Sequence, residues 1–389
     1  MTRPPNPFGR VRSPFWVAAV AVGVSAPLLA AGAATLAAST TAAPAPASSG
    51  PARFGAGPSA EPTTAACVIQ WLSTLGGRYG NVTAAAANGD AVGIANNAAG
   101  VAEPVLWGSG RPDRIGTGLV NSVPTGLNAR GDVVGNSSSG ENTIGWAWTR
   151  HRVIRLRGLP SLTASPAAIS NRGVIVGALD TTEGLPDEGG STPGGSENEQ
   201  AAVWRSAAGP PQKLAPLPGD QGGNAFAVDG HGRVGGVSEG ARFRAVIWDR
   251  AGRPRALPGL GGGYAAVRAF GPRGLAVGDA VAVDGTDHPV AWDAAGRITD
   301  LGLPPGSRTA QATAVLPGGV VVGTAQVPVA GGGKVAQAVR WVRAGQPELL
   351  GGRTGMEQTV VVGASARSAV GYLADAKGGR HPVMWRCGR

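Results

Sequence analysis

The chain has 389 residues, 65 of them Gly and 31 Pro, with 42% hydrophobic residues, a formal net charge of +10 and two Cys. That apolar content allows a sizeable core, and its pairing with abundant Gly and Pro fits many short strands and tight turns better than disorder. The basic residues are scattered and aromatic content is 5%, which argues against the clustered, aromatic-interleaved face of a nucleic-acid binder and for a basic, soluble surface.

Arg3, Arg10 and Arg12 precede an uncharged run from Pro14 to Ala38. This is the pattern of a secretory signal, with Ala31-Gly32-Ala33 and Ala43-Pro44-Ala45 both fitting a cleavage site. The length of the run and Pro27 within it leave an uncleaved membrane anchor open. Residues 1–38 therefore read as signal peptide or signal anchor. Residues 39–64, rich in Ala, Pro and Ser, read as a flexible linker. The expected location is extracellular, with membrane contact only through the N-terminal segment.

Residues 65–389 are expected to fold as one repeat region. A Gly that closes a short apolar stretch recurs at Gly93, Gly135, Gly177, Gly236, Gly278, Gly323 and Gly371. A Trp follows each, at Trp107, Trp148, Trp204, Trp248, Trp292, Trp341 and Trp385. Both markers keep one period, mostly of 42–49 residues. In the fifth copy four strands are predicted at Tyr264–Phe270, Leu275–Asp279, Pro289–Trp292 and Arg297–Leu301, separated by Gly-, Asp- and Pro-bearing turns. Four strands per such period is the size of a propeller blade, and no long 3.6-residue periodicity supports a helical alternative. The fold class predicted is all-β: a seven-bladed β-propeller of four-stranded blades.

The ends sharpen this reading. Val68–Leu75 resembles a fourth strand with no blade before it, and the last copy stops at Trp385, the end of a third strand. The N-terminal strand is expected to complete the last blade, which removes open sheet edges. Cys67 and Cys387 sit at that joint. In an exported chain they favour an internal disulfide over free thiols or a link to another chain.

The unit Leu-x-x-Leu-Gly-Gly, Asn-x-x-Gly-x-Val-Val-Gly, His-x-x-x-Trp resembles the extracellular HAF repeat family. The named segment matches at His288–Trp292 and His381–Trp385. Other copies carry Glu103, Arg244 or Gln337 at the His position, and Val or Ala replaces Phe. The resemblance spans Cys67–Arg389 and implies secretion and a propeller; it supplies no catalytic residue. Trp248-Asp249 and Trp292-Asp293 also resemble tryptophan-aspartate propeller repeats, but the Gly-His element of that family is missing. The aspartate box of sialidases is absent.

Chemical motifs are few. The seven Trp read as packing between blades rather than a glycan-stacking set. His151, His231, His288 and His381 lack zinc-ligand spacing, and no Gly-x-Ser-x-Gly elbow occurs. The first strands, such as Thr83–Ala87 and Ala310–Val315, are rich in small residues and should line the ring centre. No two carboxylates share one of them, which weighs against a central catalytic pocket. The best candidate for function is an acidic insertion, Asp180–Gln200, in the third copy. Its Asp187, Glu188, Glu197 and Glu199 should share a face with Arg78, Tyr79, Tyr264 and Arg353. These eight are the candidate binding residues; no catalytic or metal residue is assigned. No cofactor is expected, although the acidic loop makes calcium worth weighing against a solvated surface loop. The function expected is a secreted or cell-surface monomer that binds an unknown protein or envelope polymer without chemistry. The alternative is a cell-envelope glycan hydrolase or lyase using carboxylates on that face.

Overall fold

The computed structural model describes residues 67–108, 110–119, 121–139, 142–160, 162–181, 199–329 and 332–387. The signal, the linker and most of the acidic insertion lie outside the described residues. Apart from a 3-10 turn at Pro272–Gly274, every regular element described is a strand. The protein is all-β, built of four-stranded antiparallel sets in which neighbours in sequence pair. The fifth set shows the pattern: Gly261–Phe270, Ala276–Ala282, Asp287–Trp292 and Ile298–Asp300. A parallel pairing of Phe243 with Tyr264 joins the fourth set to the fifth.

The recurrent Gly has a steric cause. Every first strand carries a register shift opposite it, as between Ala312 and Ala314 or between Val267 and Ala269. The bulge drives a first-strand carbonyl against the Gly Cα, so a Cβ on Gly323 would collide with the Gln311 carbonyl and one on Gly93 with that of Asn81. Only Gly tolerates this approach.

The recurrent Trp ties consecutive sets together. Trp107, Trp204, Trp248, Trp292, Trp341 and Trp385 are fully buried. Their indole N–H groups donate at 2.6–3.1 Å to the carbonyls of Ser73, Arg157, Ala215, Pro258, Gly302 and Gly351. Each acceptor lies just beyond the outer strand of the preceding set, so one side chain fills the gap and satisfies its own polar atom. The second set departs from the expectation for Trp148. There Trp146 is the fully buried indole, laid across from Gly135, whose missing side chain leaves it room. Trp148 is half-buried and meets the His151 ring edge-on at 5.0 Å. The two indoles share one strand face, and only one enters the core.

The N-terminal strand pairs as expected. Cys67–Trp71 runs antiparallel to Arg380–Cys387, with Cys67 opposite Cys387, and the two Cys form a disulfide. Apolar clusters fill the space between successive sets. One of them, with Leu72, Val82, Val105, Trp107, Val370 and Met384, joins the first set to the last.

Candidate ligand site at the mouth of the central cavity

The first strands of all seven sets face a common cavity of about 1640 Å³. Each bulge re-aims one side chain along this wall. The bulged residues are Thr83, Thr125, Ala167, Phe226, Arg268, Thr313 and Val362, and all of them line the cavity. Five are small or short. Phe226 and Arg268 are the exceptions, and they belong to adjacent sets.

Arg268 is the centre of a buried polar network. Its Nε donates to Asp279 Oδ1 at 2.8 Å and its Nη2 to the Tyr264 hydroxyl at 2.7 Å. The guanidinium carbon lies 4.7 Å from the Phe226 ring centroid, a cation–π distance. The Asp279 side chain is 1% exposed. Its Oδ2, and Oδ1 of Asp287, are buried without a hydrogen-bond partner. Asp287 opens the third strand of the same set. Burial, then the Asp279 charge, pushes its carboxyl up to about 7, against the pull of Arg268 and a hydrogen bond with Gln311. Glu239, at the end of a second strand in the fourth set, is likewise pushed up to about 7 by burial and then by Glu199. Glu199 Oε2 accepts from Asn224 Nδ2 at 2.8 Å. Burial, then the Asp279 charge, pushes the Tyr264 phenol up. Burial alone would lower Arg268, but Asp279, Tyr264 and Asp287 more than offset it and hold the guanidinium charged. The mouth between the fourth and fifth sets thus holds Asp279 and Asp287 beside the largely buried Arg268, with Glu239 and Glu199 lining the same cavity.

Of the residues singled out in the sequence, Glu199 and Tyr264 belong to this site. Arg78, Tyr79 and Arg353 do not line the cavity. They join an aromatic patch where the first and last sets meet: the Arg353 guanidinium is 6.0 Å from the Trp71 ring centroid and that of Arg78 is 5.6 Å from Tyr79. Trp71 and Tyr79 both meet His381 edge-on, at 5.9 and 5.5 Å. Asp187, Glu188 and Glu197, the acidic groups weighed for calcium, lie outside the described residues. The positions matching the family His make local polar ties instead: His288 with Asp300 at 2.8 Å, Glu103 with Arg114 at 2.8 Å and Arg244 with Asp220 at 2.8 Å.

The weight placed on first-strand carboxylates needs correction. The cavity acids arrive from second and third strands, which converge on the mouth from neighbouring sets. Phe226, Arg268, Asp279, Asp287 and Glu239 were not singled out. A signal did exist for two of them. The residue after the recurrent Gly is Ile94, Asn136, Ala178, Val237, Asp279, Thr324 or Tyr372, and only Asp279 is charged. At the bulge position only Arg268 is charged.

No family model matches the chain, and no curated protein matches it. Solved structures do match. YCF48 bound to D1 peptide aligns at 11% identity with a TM-score of 0.49, over 86% of this chain and all of that one (100%). An acylaminoacyl peptidase from Pyrococcus horikoshii aligns at 12% and 0.47, over 81% of this chain and 53% of its own, so the chain spans about half of that enzyme. TolB from Acinetobacter baumannii aligns at 10% and 0.42, over 76% of this chain and 63% of its own. Likeness at this level says nothing of site or activity.

Proposed function

We propose that the seven four-stranded sets are blades of one closed propeller, secreted or held at the cell surface, and that the protein is a non-catalytic binding module. It takes up part of a partner, a protein or an envelope polymer, at the cavity mouth between the fourth and fifth blades. The cluster joining the first and last sets supports the ring. The basic start of the chain with its uncharged run, the disulfide and the HAF-like repeats support export. Among the described residues no helix is long and apolar enough to cross a membrane.

One observation carries the reading. The repeat is regular wherever packing demands it, and breaks at Phe226, Arg268 and Asp279, where side chains meet the cavity. Burying this charged network costs stability that packing does not require, and perturbed groups in a concave site mark function. The test is a binding screen of the mature protein against envelope glycans and surface peptides, beside Arg268→Met with matched thermal unfolding. A partner held at least tenfold more weakly by a folded Arg268→Met variant supports the site. Equal binding by both proteins removes it.

A hydrolase or lyase reading has its own observation: Asp287 and Glu239 are pushed up to about 7, where a carboxyl serves as proton donor or acceptor at neutral pH. New reducing ends or unsaturated products from envelope glycans, lost in Asp287→Asn, would establish it. Their absence across the glycans bound would dismiss it.

A further inference from the structure

Within the binding-module reading, we propose that this mouth receives a primary ammonium group, delivered as a lysine side chain on a segment of a partner protein, which lodges against Asp287 with Asp279 behind it. The inference rests on the binding-module reading and narrows its ligand.

Charge comes first. Asp279 and Asp287 act on one internal cation, Arg268, and Glu239 lines the same mouth. Two other cations lie on the cavity wall among the described residues. Arg242, in the turn between Glu239 and Phe243, is exposed at the rim of this mouth, and Arg380 lies 4.8 Å from the Tyr372 ring centroid on the last set. The cluster therefore holds more negative charge than its own chain neutralises.

The second observation is independent of charge count. Asp279 Oδ2 is a carboxylate oxygen on a side chain 1% exposed, on the cavity wall, with no donor. Asp287 Oδ1, on a half-buried side chain whose carboxyl also meets Gln311, is a second buried oxygen without a donor. A buried carboxylate oxygen without a donor is costly, and an ammonium group, with three N–H donors and one charge, is the compact group that relieves two of them. Phe243 and Tyr264, with ring centroids 6.0 Å apart, belong to the same mouth and offer faces along which an aliphatic arm ending in a cation can lie.

Size selects the source. Pockets that enclose small molecules run to about 300–1,000 Å³, whereas this cavity is about 1640 Å³. A free amine would leave most of it empty; a protruding polypeptide loop would not.

The test is titration of the mature protein with four fluorescent probes: a short acetylated peptide with one central Lys, its Arg and norleucine counterparts, and 1,5-diaminopentane on the same dye. The Lys peptide should bind at least tenfold more tightly than the isosteric, uncharged norleucine peptide, and more tightly than the Arg peptide or the diamine. Asp287→Asn should abolish that preference. Glu348→Gln, whose partner is Arg340 at 2.7 Å away from the cavity, should keep it. Equal binding of Lys and norleucine peptides, an unchanged preference in Asp287→Asn, or no peptide binding at all overturns the proposal. The diamine binding best would move the ligand to a small amine and overturn the peptide assignment. If an envelope glycan binds through Arg268 while the Lys preference is absent, the binding-module reading stands and this one falls.

Discussion

The indole N–H of Trp107 donates to the carbonyl of Ser73 at 2.7 Å. Trp107 belongs to the first set, and Ser73 follows the strand that completes the last. The bond repeats, across the joint, the contact that Trp248 makes with Ala215 and Trp292 with Pro258 inside the chain. The joint is therefore built like any other interval, with a disulfide added.

That addition should be measurable. Cys67 and Cys387 are separated by 320 residues, and closing so long a loop restricts the unfolded chain strongly. Replacing both by Ser should cost about 2–5 kcal/mol, read as a lower Tm. Non-reducing mass spectrometry of the wild type should show one internal link. A Tm unchanged by the double substitution would mean that packing at the joint suffices.

The two indoles of the second set should part company on truncation. Trp146 is fully buried, so Trp146→Ala should lose about 3–5 kcal/mol, as large aromatic deletions do. Trp148 is half-buried, and Trp148→Ala should cost about 1 kcal/mol. Chemical denaturation of both variants decides the order, and a reversed order would contradict the assignment of core position.

Gly323→Ala tests the bulge. The added Cβ meets the Gln311 carbonyl, so either the bulge or the strand pairing shifts. A loss of about 2 kcal/mol or more is expected from such overpacking, against less than about 0.5 kcal/mol at an open, exposed turn residue such as Gly318→Ala.

Asp287 predicts a pH effect with a definite sign. Its folded value, about 7, lies above the ordinary 3.8. Between these values the folded protein holds a proton that the unfolded chain has lost, so stability falls as pH rises through the window. Asp287→Asn removes that penalty. The variant should match wild type near pH 4 and exceed it by roughly 2–4 °C in Tm at pH 8. Cation binding runs the other way. Asp287 faces Asp279, Arg268 and Gln311, and Glu239 faces Glu199. Asp287 must ionise to hold an ammonium group, so the Lys peptide should bind more tightly at pH 8 than at pH 5.5. A flat profile would separate the peptide from these carboxylates.

Much of the architecture was legible because repetition isolates what packing demands. Gly278 and Trp292 recur where a bulge and an inter-set gap leave one residue type workable, and turns such as Asp293–Gly296 are local chemistry. The Asp293 carboxylate accepts from the Arg297 backbone and pairs with its side chain at 2.6 Å, which explains the Trp-Asp pair without any further role. The choice between Trp146 and Trp148 was not legible, because alternation puts both on one face and only the space over Gly135 separates them. The site was half legible. Tyr264 and Glu199 were placed on the right face, but Arg78, Tyr79 and Arg353 share it without reaching the cavity. Asp279 and Asp287 escaped notice because their meeting with Glu239 comes from neighbouring sheets, a proximity no single-strand pattern encodes.

The pairing of Cys67–Trp71 with Arg380–Cys387 sets an order of events in synthesis. Cys67–Trp71, the first strand among the described residues, has its sheet partner 320 residues later. At about 5–20 residues per second that delay is on the order of 15–60 seconds. Throughout it the strand has nothing to pair with, and Cys67 has no native thiol to meet. Sets whose strands are neighbours in sequence can form without that pairing, while the last set stays one strand short until Cys67–Trp71 and Arg380–Cys387 meet. A chain cut short before Val370 would leave the first-set core around Trp107 open to water. The oxidised cysteine pair thus marks a molecule in which these two distant strands have met.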